Sequence, residues 1–159
     1  MKTITSLQQI INAAKSQTLY IRWSRGPQMD RKMGKSLDQV SGQRHNGLSA
    51  QNVHADDPEL LARMLQEYSF LRRKDSKIYC WIFSAQRNGT DSDGAPTVDA
   101  DTIVEVGKVS YELIAKCGKF ADAYHARSTK YAYNAHKQEH FDRNAKLDED
   151  YKAAWSAVK

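Results

Sequence analysis

Apolar residues recur along this chain with two periods, and the changes between them mark its elements. Leu7, Ile10, Ile11 and Ala14 stand at i, i+3, i+4 and i+7, the spacing of one helix face. Ser6 and Gln9 form an S-x-x-Q capping box ahead of them, so a helix is predicted over residues 6–15. Leu19 to Ser24 then brings β-prone Tyr20, Ile21 and Trp23 and predicts a strand. Gly26-Pro27 ends that strand, because proline cannot donate to a ladder. Residues 25–48 show neither period and predict a long connection, the kind that is functional or mobile. Within it, Ser36-Leu-Asp-Gln39 fits a second capping box and predicts a single helical turn, while Gly42, Asn46 and Gly47 supply turn positions.

The helical period returns after Asp56-Asp57-Pro58-Glu59, which combines a capping acid with proline at the first helical position. Leu60, Leu61, Met64, Leu65, Tyr68 and Leu71 make one stripe, closed by the cations Arg72, Arg73 and Lys74. Residues 77–85, KIYCWIFSA, are apolar on both alternating faces. That is the pattern of a central strand covered on both sides. Asn88-Gly89 and Asp93-Gly94 are turn signals, and 97–106 supplies a return strand. A helix begins over 109–116. From Gly118 the alanine-rich, mixed-charge tail predicts a long helix, with Asp148 capping a last short one that ends near Val158. Phe120, Tyr124, Tyr131 and Phe141 on that tail are the aromatics expected to pack back on the domain.

These elements predict an α+β fold, a small mostly antiparallel sheet packed against helices. Residues 1–117 form the α+β domain, and 118–159 a helical extension packed on it. A chain of 159 residues is long enough for one real core.

Charge changes the picture more than composition does. Residues 1–55 hold eight Lys and Arg against two acids, whereas 56–116 hold eight against eleven. Residues 117–159 hold eight against six, and a positive field concentrated in the opening third favours an anionic partner such as nucleic acid, nucleotide or an acidic protein face. Solubilising surface charge is the plainer alternative. No apolar run approaches the ~20 residues that cross a bilayer, and the amino terminus is too polar for a signal peptide's apolar core. The expected location is the cytoplasm. Cys80 and Cys117 are too few for a disulfide framework and have no metal-binding spacing, so buried reduced thiols are expected.

The residues Tyr20-Ile-Arg22-Trp23-Ser24-x-Gly26-Pro27, then Asp30, Ser36-x-Asp38, Gly42 and Gly47-Leu-Ser-Ala50, resemble the opening half of a small bacterial family. That family carries a domain of unknown function. The helix LLARMLQEYSFL and the segment CWIF…NGTDSDGAPTV are similar in order and spacing, so the resemblance covers roughly residues 4–115. It implies positions rather than an activity.

Four chemistries are open at those positions. Arg22, Ser49 and Glu105 follow the order of one class of mono-ADP-ribosyltransferases, which this chain resembles in that respect. The resemblance implies Arg22 on a phosphate of NAD, Ser49 beside the ribose and Glu105 stabilising an oxocarbenium-like transition state. Gly47-Leu-Ser-Ala stands where that class has Ser-Thr-Ser, and Ile103 stands two residues before Glu105; the alternative is a structural Arg22–Glu105 pair across neighbouring strands. Second, Arg25, Arg31, Lys32, Lys35 and Arg44 can contact nucleic-acid phosphates while Trp23 or Tyr20 stacks a base; a solvated loop is the alternative. Third, His136-x-x-Glu139-His140, with His125 three turns earlier, has zinc spacing on one helix, against the commoner reading of surface histidines. No third ligand of the peptidase kind follows, and no resident metal is expected. Fourth, Asp30 and Asp38 can hold Mg²⁺ or orient a substrate, or instead cap turns and pair with Arg22 or Arg25. The expected function is an intracellular binding protein for an anionic ligand, with Arg22, Trp23, Ser24, Arg25, Asp30, Asp38 and Ser49 at the site. The alternatives are an ADP-ribosyltransferase-like enzyme using Glu105, and an inhibitor or interaction protein gripping a partner through its carboxy-terminal helices. Whether it is an enzyme, and with which cofactor, stays open.

Overall fold

The computed structural model describes residues 1–72, 77–131 and 137–159. Its elements run β1 (Thr3–Ile4), α1 (Leu7–Ala14), β2 (Tyr20–Ser24), α2 (Pro27–Met33), β3 (Leu48–Ser49), β4 (Gln51–Asn52), α3 (Pro58–Gln66), β5 (Tyr79–Ser84), β6 (Arg87–Thr90), β7 (Pro96–Val98), β8 (Val104–Val109), α4 (Tyr111–Lys130) and α5 (Gln138–Val158). The fold is α+β. A five-stranded sheet has the order β1-β8-β5-β2-β4, parallel only between β1 and β8. A three-stranded antiparallel sheet has the order β3-β7-β6.

β5 explains the layering. Cys80 and Ile82 point to one face, where Ile10, Leu61, Leu65, Leu113 and Phe120 of the helices bury against them. Trp81 and Phe83 point to the other, where Leu48, Val98 and Ile103 make a second core under the small sheet. A strand apolar on both alternating faces needs two covers. The two sheets share one length of chain. Leu48 and Ser49 pair with Val98 and Thr97, and Gln51 and Asn52 with Ile21 and Tyr20. Between them the Ala50 amide donates to the Pro96 carbonyl at 3.0 Å.

Capping predicted at both early helices is present. Ser6 and Gln9 exchange the two bonds of a capping box, and Asp57 accepts from the Leu60 amide. α4 and α5 pack on each other through Phe120, which meets Tyr151 and Trp155 at 5.4 and 4.9 Å between ring centroids. Val158 is buried in the first core.

Several local expectations are corrected. Residues 25–48 are not loop throughout: Pro27 starts α2, because a preset φ suits a first helical position as well as a strand end. Ser36-Leu-Asp-Gln39 makes no helical turn; Leu37 bridges Arg44 and the Ser36 hydroxyl accepts from the Ser49 amide instead. Asn88-Gly89 lies within β6, at a register shift. The return strand splits into β7 and β8, because Asp99 caps a 3₁₀ turn over Ala100–Thr102 and sends each half to a different sheet. In the tail, α4 starts at Tyr111 and passes through Gly118, and Asp148 caps nothing but lies inside α5, 3.1 Å from Arg127. α3 ends at Gln66, and Tyr131 and Phe141 are exposed. Arg73, Lys74 and His136 lie outside the described residues. Among the described residues, no helix is long and apolar enough to cross a membrane.

Candidate functional site

Alternation along β2 puts Arg22 and Ser24 on the face that carries Trp81, because Arg22 pairs with Trp81 in register. Gly26 then turns the chain at φ +105°, a conformation open to glycine, and the Tyr79 hydroxyl occupies the space a Cβ would fill. Next comes α2, with Asp30 in its first turn facing back to the strand. The result is a closed polar network. Arg22 Nε donates to Asp30 at 2.7 Å, and the other end of the guanidinium donates to the Ser49 carbonyl. The Ser24 hydroxyl donates to Asp30 at 2.7 Å and accepts from the Trp81 indole at 2.9 Å and from the Gly26 amide at 3.1 Å. The side chains of Arg22 and Asp30 are 13% and 5% exposed. A buried charge pair with its hydrogen bonds completed holds elements in place. This one fastens α2 and the β3–β4 stretch to the sheet.

A cleft of about 640 Å³ opens beside this network. Its floor is Arg22 with Ser49 to Asn52. One wall is the end of α3 and the segment just beyond it, Met64, Tyr68 and Leu71. The other is the Leu37–His45 loop and the Asp91–Pro96 turn. β4 is the last strand of its sheet, with β2 as its one neighbour. Leu37 and Leu71 are exposed at the rim and Val40 is 89% exposed. Asp38, Asp91 and Asp93 give the cleft its charge. The Val40 amide, then the Ser41 hydroxyl, hold the Asp38 carboxyl below its usual range. Across the cleft, burial first and then Glu67, Asp93 and Asp91 push the Tyr68 hydroxyl up.

The predicted residues sort into three places. Arg22, Ser24, Asp30 and Ser49 come together in the network, Ser49 through its backbone. Asp38 lies apart on the cleft wall, where it caps its own turn. Trp23 turns to the helical face and donates to the Leu65 carbonyl at 3.2 Å, bordering the cleft from there. Arg25 is exposed beyond the end of β2. Glu105 lies on β8, 3.6 Å from Arg31, whose guanidinium also donates to the Ile103 carbonyl. The Arg22–Glu105 pair is thus corrected: β5 separates their strands, and each has another partner. His125 and His140 stand on different helices, α4 and α5, rather than on one face. Among the described residues, no three His, Cys, Asp or Glu are grouped to hold a metal.

Sequence reasoning named Arg22, Trp23, Asp38 and Ser49 of the cleft but missed the rest of its lining. Asp91-Ser-Asp93-Gly94 was visible only as a turn, and Val40 only as part of a connection. The one available signal was exposure of apolar Leu37 and Val40 in a segment with no periodicity to bury them.

No curated protein and no solved structure matches the chain. The family of unknown function DUF6098 matches residues 1–131, from β1 to just past α4 and beyond the 4–115 of the resemblance. A match over most of the 159 residues settles membership: the chain belongs to that family of unknown function.

Proposed function

We propose that this protein is a binding module for another polypeptide, received in the cleft along the open edge of β4. The observation that carries this reading is a strand that ends its sheet among the described residues, set beside an apolar rim. A strand edge offers backbone donors and acceptors to an added strand, and exposed Leu37, Val40 and Leu71 mark a contact surface. Arg22, the residue best suited to hold an anion, is instead occupied by Asp30 and Ser49. An anionic ligand in the cleft would also meet Asp38, Asp91 and Asp93. The transferase arrangement gains no support, since Arg22 and Glu105 are each paired elsewhere.

Peptides selected from a random display library against the whole chain provide the test. They should shift the backbone amide resonances of Gln51 and Asn52, and lose binding when Leu37 and Val40 are both replaced by serine. Selected peptides that leave those resonances and that variant unaffected would sink the reading.

A second reading keeps the anionic partner but moves it. Lys108 sits 4.5 Å over the Tyr79 ring, and the register of Ser24 with Tyr79 brings exposed Arg25 and Lys77 to the same end of the sheet. A labelled single-stranded oligonucleotide should then bind with strong salt dependence, and charge reversal at Arg25 and Lys108 should abolish it. Retained binding in that variant would refute the assignment.

A further inference from the structure

Resting on the cleft as a polypeptide site, we propose that its occupant is an extended segment bearing lysine or arginine, laid along β4 with its cations toward Asp38, Asp91 and Asp93. The chain carries a formal net charge of +5, yet the cleft reverses that sign. Three carboxylates line it, and Arg22 in its floor is neutralised by Asp30. The carboxylates come from two loops that meet: the Ser92 hydroxyl lies 3.4 Å from Asp38, joining the Leu37–His45 loop to the Asp91–Pro96 turn. Tyr68 lines the same cleft, and after burial and Glu67 the carboxylates of Asp93 and Asp91 add to the rise of its hydroxyl. The strand edge supplies the second constraint. An edge pairs with an extended backbone, whose side chains alternate between its two sides. A cationic side chain on one side then reaches the acids, while an apolar neighbour on the other meets the Met64 and Leu71 wall. Electrostatic complementarity of this kind sets which partner is accepted and how fast it arrives.

The test uses the full chain, the display-selected peptides resynthesised, the same peptides with each Lys or Arg replaced by Gln, and the variant D38N/D91N/D93N. Asparagine keeps the acceptor oxygen with which Asp38 and Asp91 close their turns, and a thermal melt checks that the variant is folded. The expected result is enrichment of Lys and Arg among selected peptides. Affinity should fall by about tenfold or more, on removal of either the peptide cations or the three carboxylates, with a matching loss of salt dependence. Peptides that shift the Gln51 and Asn52 resonances but bind equally well after both changes would overturn the charge assignment and leave the cleft reading standing. Peptides that never perturb β4 would overturn both. Concentration-dependent self-association, abolished by the same variant, would make a second copy of this chain the occupant and overturn the proposal.

Discussion

Arg22→Ala separates a structural arginine from a ligand-binding one. In the folded protein the Arg22 guanidinium gives Asp30 its only opposite charge within the network, at 2.7 Å, and both side chains are nearly out of water. Removing it leaves a carboxylate 5% exposed with the Ser24 hydroxyl as its remaining side-chain donor. Breaking one side of such a pair costs about 3–5 kcal/mol, because the orphaned charge stays buried. Arg31 and Glu105 provide the control. They are also an ion pair, but at 3.6 Å with side chains 39% and 34% exposed, so water screens them and the pair is worth ~0–1 kcal/mol. Equilibrium urea unfolding should therefore place Arg22→Ala several kcal/mol below the parent at an unchanged slope, and Arg31→Ala within about 1 kcal/mol of it. Replacing both Arg22 and Asp30 by Met and Leu should recover part of the loss, since no charge is left buried, although the Ser49 carbonyl and the Ser24 hydroxyl lose these partners. A cost below about 1 kcal/mol for Arg22→Ala would refute the reasoning, because burial would then not govern these pairs. So would a double variant no more stable than the single one.

Gly26→Ala adds a methyl where the Tyr79 hydroxyl already lies and demands φ +105° of an alanine; a loss of roughly 2–3 kcal/mol is expected in the same assay, and one under about 0.5 would refute the steric argument. Burial, and then the Glu59 carboxylate to which it donates, push the Tyr151 hydroxyl up to about 12. The folded chain then keeps a proton that the unfolded chain releases near 10. Stability is thus intact below that pH and falls as pH rises towards 12, and Tyr151→Phe should flatten the fall; an unchanged alkaline limb would contradict this. Burial also pushes the Cys80 and Cys117 thiols up, Cys117 to about 12, so neither should react with a chromogenic disulfide reagent until the protein unfolds; rapid labelling of the native chain would refute that burial.

Elements fixed by local pairs of residues were legible from sequence. The Ser6–Gln9 box, the Asp57-Pro58 start of α3 and the two-faced apolar pattern of β5 each contain their own reason. Elements decided by distant partners were not. Gly26-Pro27 ends a strand and starts a helix with equal ease, and what selects the helix here is Asp30 reaching back to Arg22 and Ser24. Residues 97–106 have a continuous strand pattern, but Val98 finds its partner at Leu48 in one sheet while Glu105 finds Phe83 in the other. No spacing rule along one segment carries that division.

The site shows the same limit in its charge. Counted along the chain, the opening third is strongly basic, and an anionic ligand follows from that count. Folding reorders the count in two ways. Arg22 and Arg31 are spent on Asp30 and Glu105, and Asp91 and Asp93 arrive from the acidic middle third to stand with Asp38 around the cleft. Pairing with Asp30 neutralises Arg22 at the cleft, and topology brings Asp91 and Asp93 to the same place. Of the positions singled out by sequence, Arg22, Trp23, Asp38 and Ser49 line the cleft and Ser24, Arg25, Asp30 and Glu105 do not, while the charge that lines it is opposite to the one the count implied. An arginine on a strand says little about a ligand until its five donors have been assigned, and three of them here already point at protein oxygens.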